Sequence, residues 1–419
     1  MSRAVGALDA MASTASFSAA PASAALNRRL AAMALVLGAT ALPATAQQPR
    51  VVRATNAPVW GPAPRLVEEV RIGALDGAEE YVFGRVSFVA VADGATVFVA
   101  DTQVPVIRMY DALGSFVRNV GGAGEGPGEY RRIGGMEVLR DGRLAVWDNR
   151  VGRITLFTPA GEYDSSHTVT SGFFSADVFQ VDHDGRFYVR AVVRDANDPR
   201  ERQGEVWIRL SAGGEVLDSL PIPEEPSTPP SFVLSTASGY DRPFTRQLIT
   251  TLSPLGYLVV GHNRAYAFEL RRTEEPTLRI ERPFTPLPVR GPEHAEWEAW
   301  AEFFARAGSG GPSYSVPDTK PAFSTLRTDA GGRIWVRRYV EAVHRPRTGP
   351  PSSSGAPPRE WREQPTWDVF EPTGTFLGTV VLPANAYFYD AVDRHVWATV
   401  RGEFDEAYVV RFRIEPGDR

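Results

Sequence analysis

The chain has 419 residues, 43% hydrophobic and 23% charged, the profile of an ordinary globular protein long enough for one large β domain or two average ones. Its net charge of -5 argues against nucleic acid as a partner, because binders of nucleic acid carry basic patches or stripes. With no cysteine, disulfides, thiol nucleophiles, thiolate metal sites and a lipidated cysteine anchor are excluded, and Lys320 is the single lysine among many arginines.

The amino-terminal region reads as an export signal. Arg28 and Arg29 form a positive start, Ala31–Leu42 an apolar core, and Pro43-Ala-Thr-Ala46 a small-residue cleavage pattern, so residues 1–46 are expected to comprise a signal peptide with an upstream extension, cut after Ala46. The apolar run is too short to span a bilayer, and nothing after it resembles a second membrane segment. These features predict an exported protein, periplasmic or secreted, with no membrane span after signal cleavage. Residues 47–64 carry Pro49, Pro58, Pro62 and Pro64 and read as an extended lead-in. Arg65–Ile72 then has strand character, with Leu66, Val70 and Ile72 tending to one face.

From there the chain repeats. Val97–Asp101, a loop, Val106–Tyr110 and Gly114 align without a gap on Leu144–Asp148, a loop, Arg153–Phe157 and Gly161. Each unit opens with an apolar strand and a tight turn such as Asp93-Gly94 or Asp141-Gly142, the preferred hairpin signal because glycine accepts positive φ. A third unit runs through Ala176–Val181, Asp184-Gly185, Arg186–Val189 and Glu205–Leu210, with an insertion at 195–204. The fourth holds Leu248–Leu252, Tyr257–Val260, Tyr266–Leu270 and Thr277–Ile280; the fifth holds Phe323–Leu326, Arg333–Val336 and Thr366–Phe370, with a loop insertion over about 345–365. The sixth, read in Ala386–Tyr389, Arg394–Thr399 and Tyr408–Ile414, lacks a clear fourth strand, which Arg65–Ile72 is expected to supply. Between the fourth and fifth units, in an insertion over about 290–318, Trp297, Trp300, Ala301 and Phe304 recur at helical spacing, with acidic residues toward the start where the helix dipole favours them. The fold class is therefore all-β: residues 65–416 form a six-bladed β-propeller of four-stranded antiparallel blades with one short helical insertion between blades 4 and 5.

With strands a to d running outward in each blade, the a–b and c–d hairpins lie on one face and the b–c and d–a connections on the other. Both long insertions, the helix and the glycine-rich stretch Gly121–Tyr130 fall on the b–c/d–a face. Functional residues concentrate on loops carried by a rigid scaffold, so this face is the expected ligand side. Asp101 and Asp148 end second strands at equivalent positions, matched later by Ala191, His262, Arg338 and Thr399, and this ring, with Arg337, is the candidate site at the channel mouth. The alternative for each aspartate is that it caps its own loop. Gly121–Tyr130 has neither phosphate-loop spacing, and Glu125 and Glu129 would repel a phosphate; if they touch a ligand, a cation or basic partner fits. Asp182-His-Asp184 lacks the later ligands of a calcium loop and reads as a turn. No metal site is assigned from the six histidines, and no nucleophile–base pair or Gly-x-Ser-x-Gly elbow is present.

Val99-Ala-Asp101, Ile107–Asp111, Gly114 and Gly124-Glu-Gly-Pro-Gly-Glu-Tyr130 resemble the blade and first-linker patterns of the bacterial six-bladed β-propeller family related to NHL-repeat proteins. That resemblance implies an exported, mostly uncharacterised protein and hands over no catalytic residues. The resulting expectation is a monomeric binding or scaffold module for an unidentified protein or small molecule. The alternative is a hydrolase or lyase using an axial divalent cation, as in lactonase-like propellers; calcium is the cation such a site would take, although no motif indicates it.

Overall fold

The computed structural model describes residues 48–417 apart from 93–95, 170–174, 195–201, 224–242, 273–274, 307–314 and 347–354. The expected signal peptide, the Asp93-Gly94 turn and most of the insertion at 195–204 lie outside the described residues.

Six sheets built on antiparallel strands a to d follow one another along the chain, the fourth strand of the last being supplied from upstream. Blade 1 runs from Val86–Val91 to Phe116–Val120, blade 2 from Ile133–Val138 to Tyr163–Thr168, and blade 3 from Ser175–Val181 to Val216–Pro221. Blade 4 spans Leu248–Leu252 to Leu278–Glu281, blade 5 Phe323–Thr328 to Phe376–Val381, and blade 6 begins at Ala386–Val392. The second strands, Val97–Asp101 and Leu144–Asp148, are buried at every residue. Strands covered on both faces read as continuous apolar runs. Outer strands such as Tyr163–Thr168 carry polar, exposed residues because one blade face there meets water.

Apolar side chains from successive blades meet in six separate clusters, and these close the ring. Ile107 of blade 1 packs with Val146 of blade 2, Trp147 with Phe187 of blade 3, and Tyr188 with Val260 of blade 4. Phe268 of blade 4 packs with Phe323 of blade 5, Trp335 with Val396 of blade 6, and Val409 returns to Val99 of blade 1. Arg65–Ile72 is the fourth strand of blade 6, antiparallel to Ala407–Glu415, with Val70 and Ile72 in the seam against blade 1. The last blade is thus built from both ends of the propeller.

The lead-in is more than extended chain. Arg50–Arg53 adds a fifth strand to blade 4, parallel to Leu278–Glu281. Farther on, the Asn56 side chain donates to Phe376 O at 3.0 Å, and Trp60 N donates to Leu377 O at 2.7 Å while its ring enters the seam between blades 5 and 6. The segment therefore crosses the outside of blades 4, 5 and 6 in turn. At Gly61 (φ 83°) a Cβ would stand 2.5 Å from the carbonyl oxygen of Gly417, so only glycine lets these two backbones approach.

The single α-helix of the described residues, α1, spans Gly291–Arg306 between blades 4 and 5. Trp297 packs edge-on against Phe244, 6.0 Å between ring centroids, and the Arg359 guanidinium lies 3.6 Å above Trp297. The Glu296 carboxylate accepts the backbone N–H groups of Glu360 and Trp361, binding α1 to the b–c insertion of blade 5, where Val343–His344 pairs with Trp361–Arg362. Beneath them Lys320 is buried, its Nζ donating to Glu293 Oε1 at 2.8 Å, Glu363 Oε1 at 2.5 Å and Val340 O at 2.9 Å. Helix and insertion form one cap over the junction of blades 4 and 5.

Candidate functional site

The ring read from strand register divides in two. In blades 1 and 2 the aspartates serve the backbone. Asp101 Oδ2 accepts Gly84 N at 2.7 Å, its Oδ1 accepts Arg85 N at 2.9 Å and Gln103 N at 3.0 Å, and Arg108 stands 3.5 Å away. Asp148 repeats the arrangement with Arg131 N at 2.6 Å and Arg150 N at 2.9 Å. Both carboxylates are buried, so they stitch the d–a connection to the b–c turn instead of facing a channel mouth. In blade 6 it is Val400, not Thr399, that pairs with the first residue of strand a.

In blade 4 the same task is shared. His262 Nδ1 accepts Arg264 N at 3.0 Å, and Asn263 bridges to Gln247 N at 2.8 Å and Thr245 O at 2.9 Å. In blade 5 the corresponding Arg338 lies 3.8 Å from Asp368, whose carboxylate also accepts Tyr266 Oη from blade 4 at 2.8 Å. Arg337 is half-buried, and its charge acts on Glu363 of the cap cluster. Of these three, Arg338 faces the seam of blades 4 and 5 through Asp368, whereas strand alternation puts His262 on the face of Val260 toward blade 3 and Arg337 on the face of Trp335 toward blade 6.

Gly121–Tyr130 fills the seam between blades 1 and 2. Gly122–Ala123 pairs in parallel with Glu129–Tyr130, and the buried Tyr130 hydroxyl accepts Ile107 N and donates to Val120 O, both at 3.0 Å. Burial pushes the Tyr130 phenol up to about 12. At Gly121 (φ 68°) a Cβ would meet Gly128 O at 2.5 Å. Glu125 is ion-paired with Arg131, and Glu129 Oε2 accepts Gly126 N at 2.7 Å. Asp182 caps its turn through Asp184 N and Arg186 N, each at 2.9 Å.

Sequence reasoning missed the axis. Glu137, Arg327 and Asp390 lie on the innermost strands of blades 2, 5 and 6, and a group on blade 2 reaches blades 5 and 6 only across the ring. Burial, reinforced by the Asp390 charge and opposed by Arg327, pushes the Glu137 carboxyl up to about 8. Burial and the Asp329 charge push Asp390 up to about 7. Alternating strands do not disclose which residue points at an axis, so no sequence signal marked these groups. At the a–b end, His183 Nε2 donates to Ala330 O at 2.8 Å and His183 N to Pro254 O at 2.8 Å, linking turns of blades 3, 4 and 5 across the opening. Among the described residues no group of His, Asp and Glu is arranged to hold a metal ion.

Residues 65–228 match the family described as a 6-bladed beta-propeller, and with the six sheets of the ring this makes the chain a six-bladed β-propeller. No curated protein matches the chain. Among solved structures it is similar to a putative exported protein from Bacteroides fragilis (12% identity, 87% of this chain and 98% of that one, TM-score 0.47). It is also similar to a member of the duf4221 family from Bacteroides vulgatus (13%, 84% and 99%, TM-score 0.49). Virginiamycin B lyase from Staphylococcus aureus matches at 11% identity over 83% of this chain and 99% of that one, TM-score 0.39. No helix of the described residues is long and apolar enough to cross a membrane.

Proposed function

We propose that this six-bladed β-propeller is an exported binding module whose ligand site lies on the b–c/d–a face at the junction of blades 4 and 5. The cap carries this reading. It elaborates the repeat on that face alone, and a buried lysine held by two glutamates fixes it to the ring. A rigid, elaborated face on a repeating scaffold is where binding residues are placed. The bridged a–b end of the channel supports access from the same side.

The test is a thermal-shift screen of small molecules and cell-envelope glycans, repeated on Arg337→Gln with Arg338→Gln. Hits that stabilise the parent and lose most of that stabilisation in the variant support the reading. Equal stabilisation of both proteins by every hit overturns it.

A further inference from the structure

The chemistry of the ligand can be read from a cleft on the same face, an inference that rests on the binding-module reading. The cleft, of about 450 Å³, opens where the b–c turn of blade 4 meets the segment leaving that blade's outer strand. Arg264, Arg279 and Arg282 line it against one carboxylate, Glu281, a local positive excess in a chain of net charge -5.

The three cations are unequally committed. Arg279 is held by Glu281 at 2.6 Å and Glu269 at 3.3 Å. Arg264 and Arg282 have no carboxylate within ion-pair distance among the described residues. Arg282 is nevertheless fixed in place. Its main-chain N–H donates to Tyr266 O at 3.0 Å, its guanidinium lies 3.7 Å above the Phe376 ring, and its Nη1 is buried without an acceptor. The aromatic ring occupies the flat side of the guanidinium, which leaves the N–H edge to recognise an oxyanion through paired, charge-assisted hydrogen bonds. Arg264 is exposed on the turn above, and Phe284 and Pro286 form an apolar wall. A cleft of this size with convergent polar groups and apolar walls fits a small molecule.

We propose that this cleft binds a small organic anion, its carboxylate, sulfate or phosphate group on Arg282 and Arg264 and its apolar body against Phe284 and Pro286. Calorimetric titration of the full chain with phenyl phosphate, benzoate and neutral benzyl alcohol tests this. The expected result is that at least one anion binds, benzyl alcohol does not, and Kd rises at least about tenfold in Arg282→Gln and several-fold in Arg264→Glu. The exposed Arg264 side chain has no hydrogen-bond or ion-pair partner to lose among the described residues, and the substitution keeps its backbone bond to His262, so Arg264→Glu keeps the test valid even if Arg282→Gln unfolds. The proposal is overturned if neither anion binds the parent, or if Arg264→Glu binds as tightly as the parent. If no anion binds while screen hits still depend on Arg337 and Arg338, the anion assignment fails and the binding-face reading stands.

Discussion

The hydroxyl of Tyr266 on blade 4 donates to Asp368 Oδ2 on blade 5 at 2.8 Å, and both residues are buried. The second oxygen of Asp368 accepts Thr379 Oγ1 at 2.6 Å. Burial, and next the Asp368 charge, hold the Tyr266 phenol well above its ordinary pKa, so the donor proton stays in place at any working pH. The bond joins blades 4 and 5.

Replacing Tyr266 by Phe removes that donor and leaves a buried carboxylate short of one partner. Such losses cost about 1–3 kcal/mol, more for charged acceptors. Urea denaturation is expected to show at least this loss for Tyr266→Phe, with an unchanged m-value because the ring itself persists. Thr379→Ser, which keeps a hydroxyl at the second oxygen, serves as the mild comparison.

Lys320→Met removes the one cation between Glu293 and Glu363. Breaking a buried ion pair by deleting one partner typically costs about 3–5 kcal/mol, because the remaining charge stays buried and uncompensated. Burial already raises the Glu363 carboxyl, with the Lys320 charge opposing that rise. The cap should therefore loosen first, read as faster amide exchange across α1 (Gly291–Arg306) while blades 1 to 3 keep their protection. Uniform exchange throughout the ring would contradict this assignment.

The axial carboxyls predict how stability depends on pH. Glu137 titrates near 8 and Asp390 near 7 when folded, both above their ordinary values of 4.5 and 3.8. The folded state then binds more protons than the unfolded state between roughly pH 4 and pH 8, so stability falls as pH rises through that window. Their stabilising contribution is full below about pH 4 and lost above about pH 8. Thermal melts should show a Tm decline on the order of several degrees from pH 5 to pH 8. Glu137→Gln with Asp390→Asn should flatten that slope. An identical slope in the double variant would assign the effect to other groups.

Most of the fold was legible because each blade repeats one local rule. The fully buried strands Val97–Asp101 and Leu144–Asp148 stand out as apolar runs, the turns carry Asp-Gly, and the missing strand of blade 6 pointed to Arg65–Ile72. Arg50–Arg53 was not legible, since a four-residue parallel pairing with Leu278–Glu281 leaves no periodicity in either segment. The candidate site was legible only in part. Strand register brought out His262 and Arg338, but the same register marked Asp101 and Asp148, whose carboxylates bind backbone N–H groups. Arg282 escaped notice because it lies on a connecting segment, where stacking on Phe376 depends on a neighbouring blade.

Lys320 also gives the molecule a built-in reporter. It is the only side-chain amine in the chain, and it is buried with three acceptors around it. A pulse of amine-acylating reagent should leave that nitrogen untouched in the native protein and modify it when the cap opens. Side-chain acylation, followed by intact mass at increasing denaturant alongside a separate probe of ring unfolding, would then show whether the cap opens at lower denaturant than the ring.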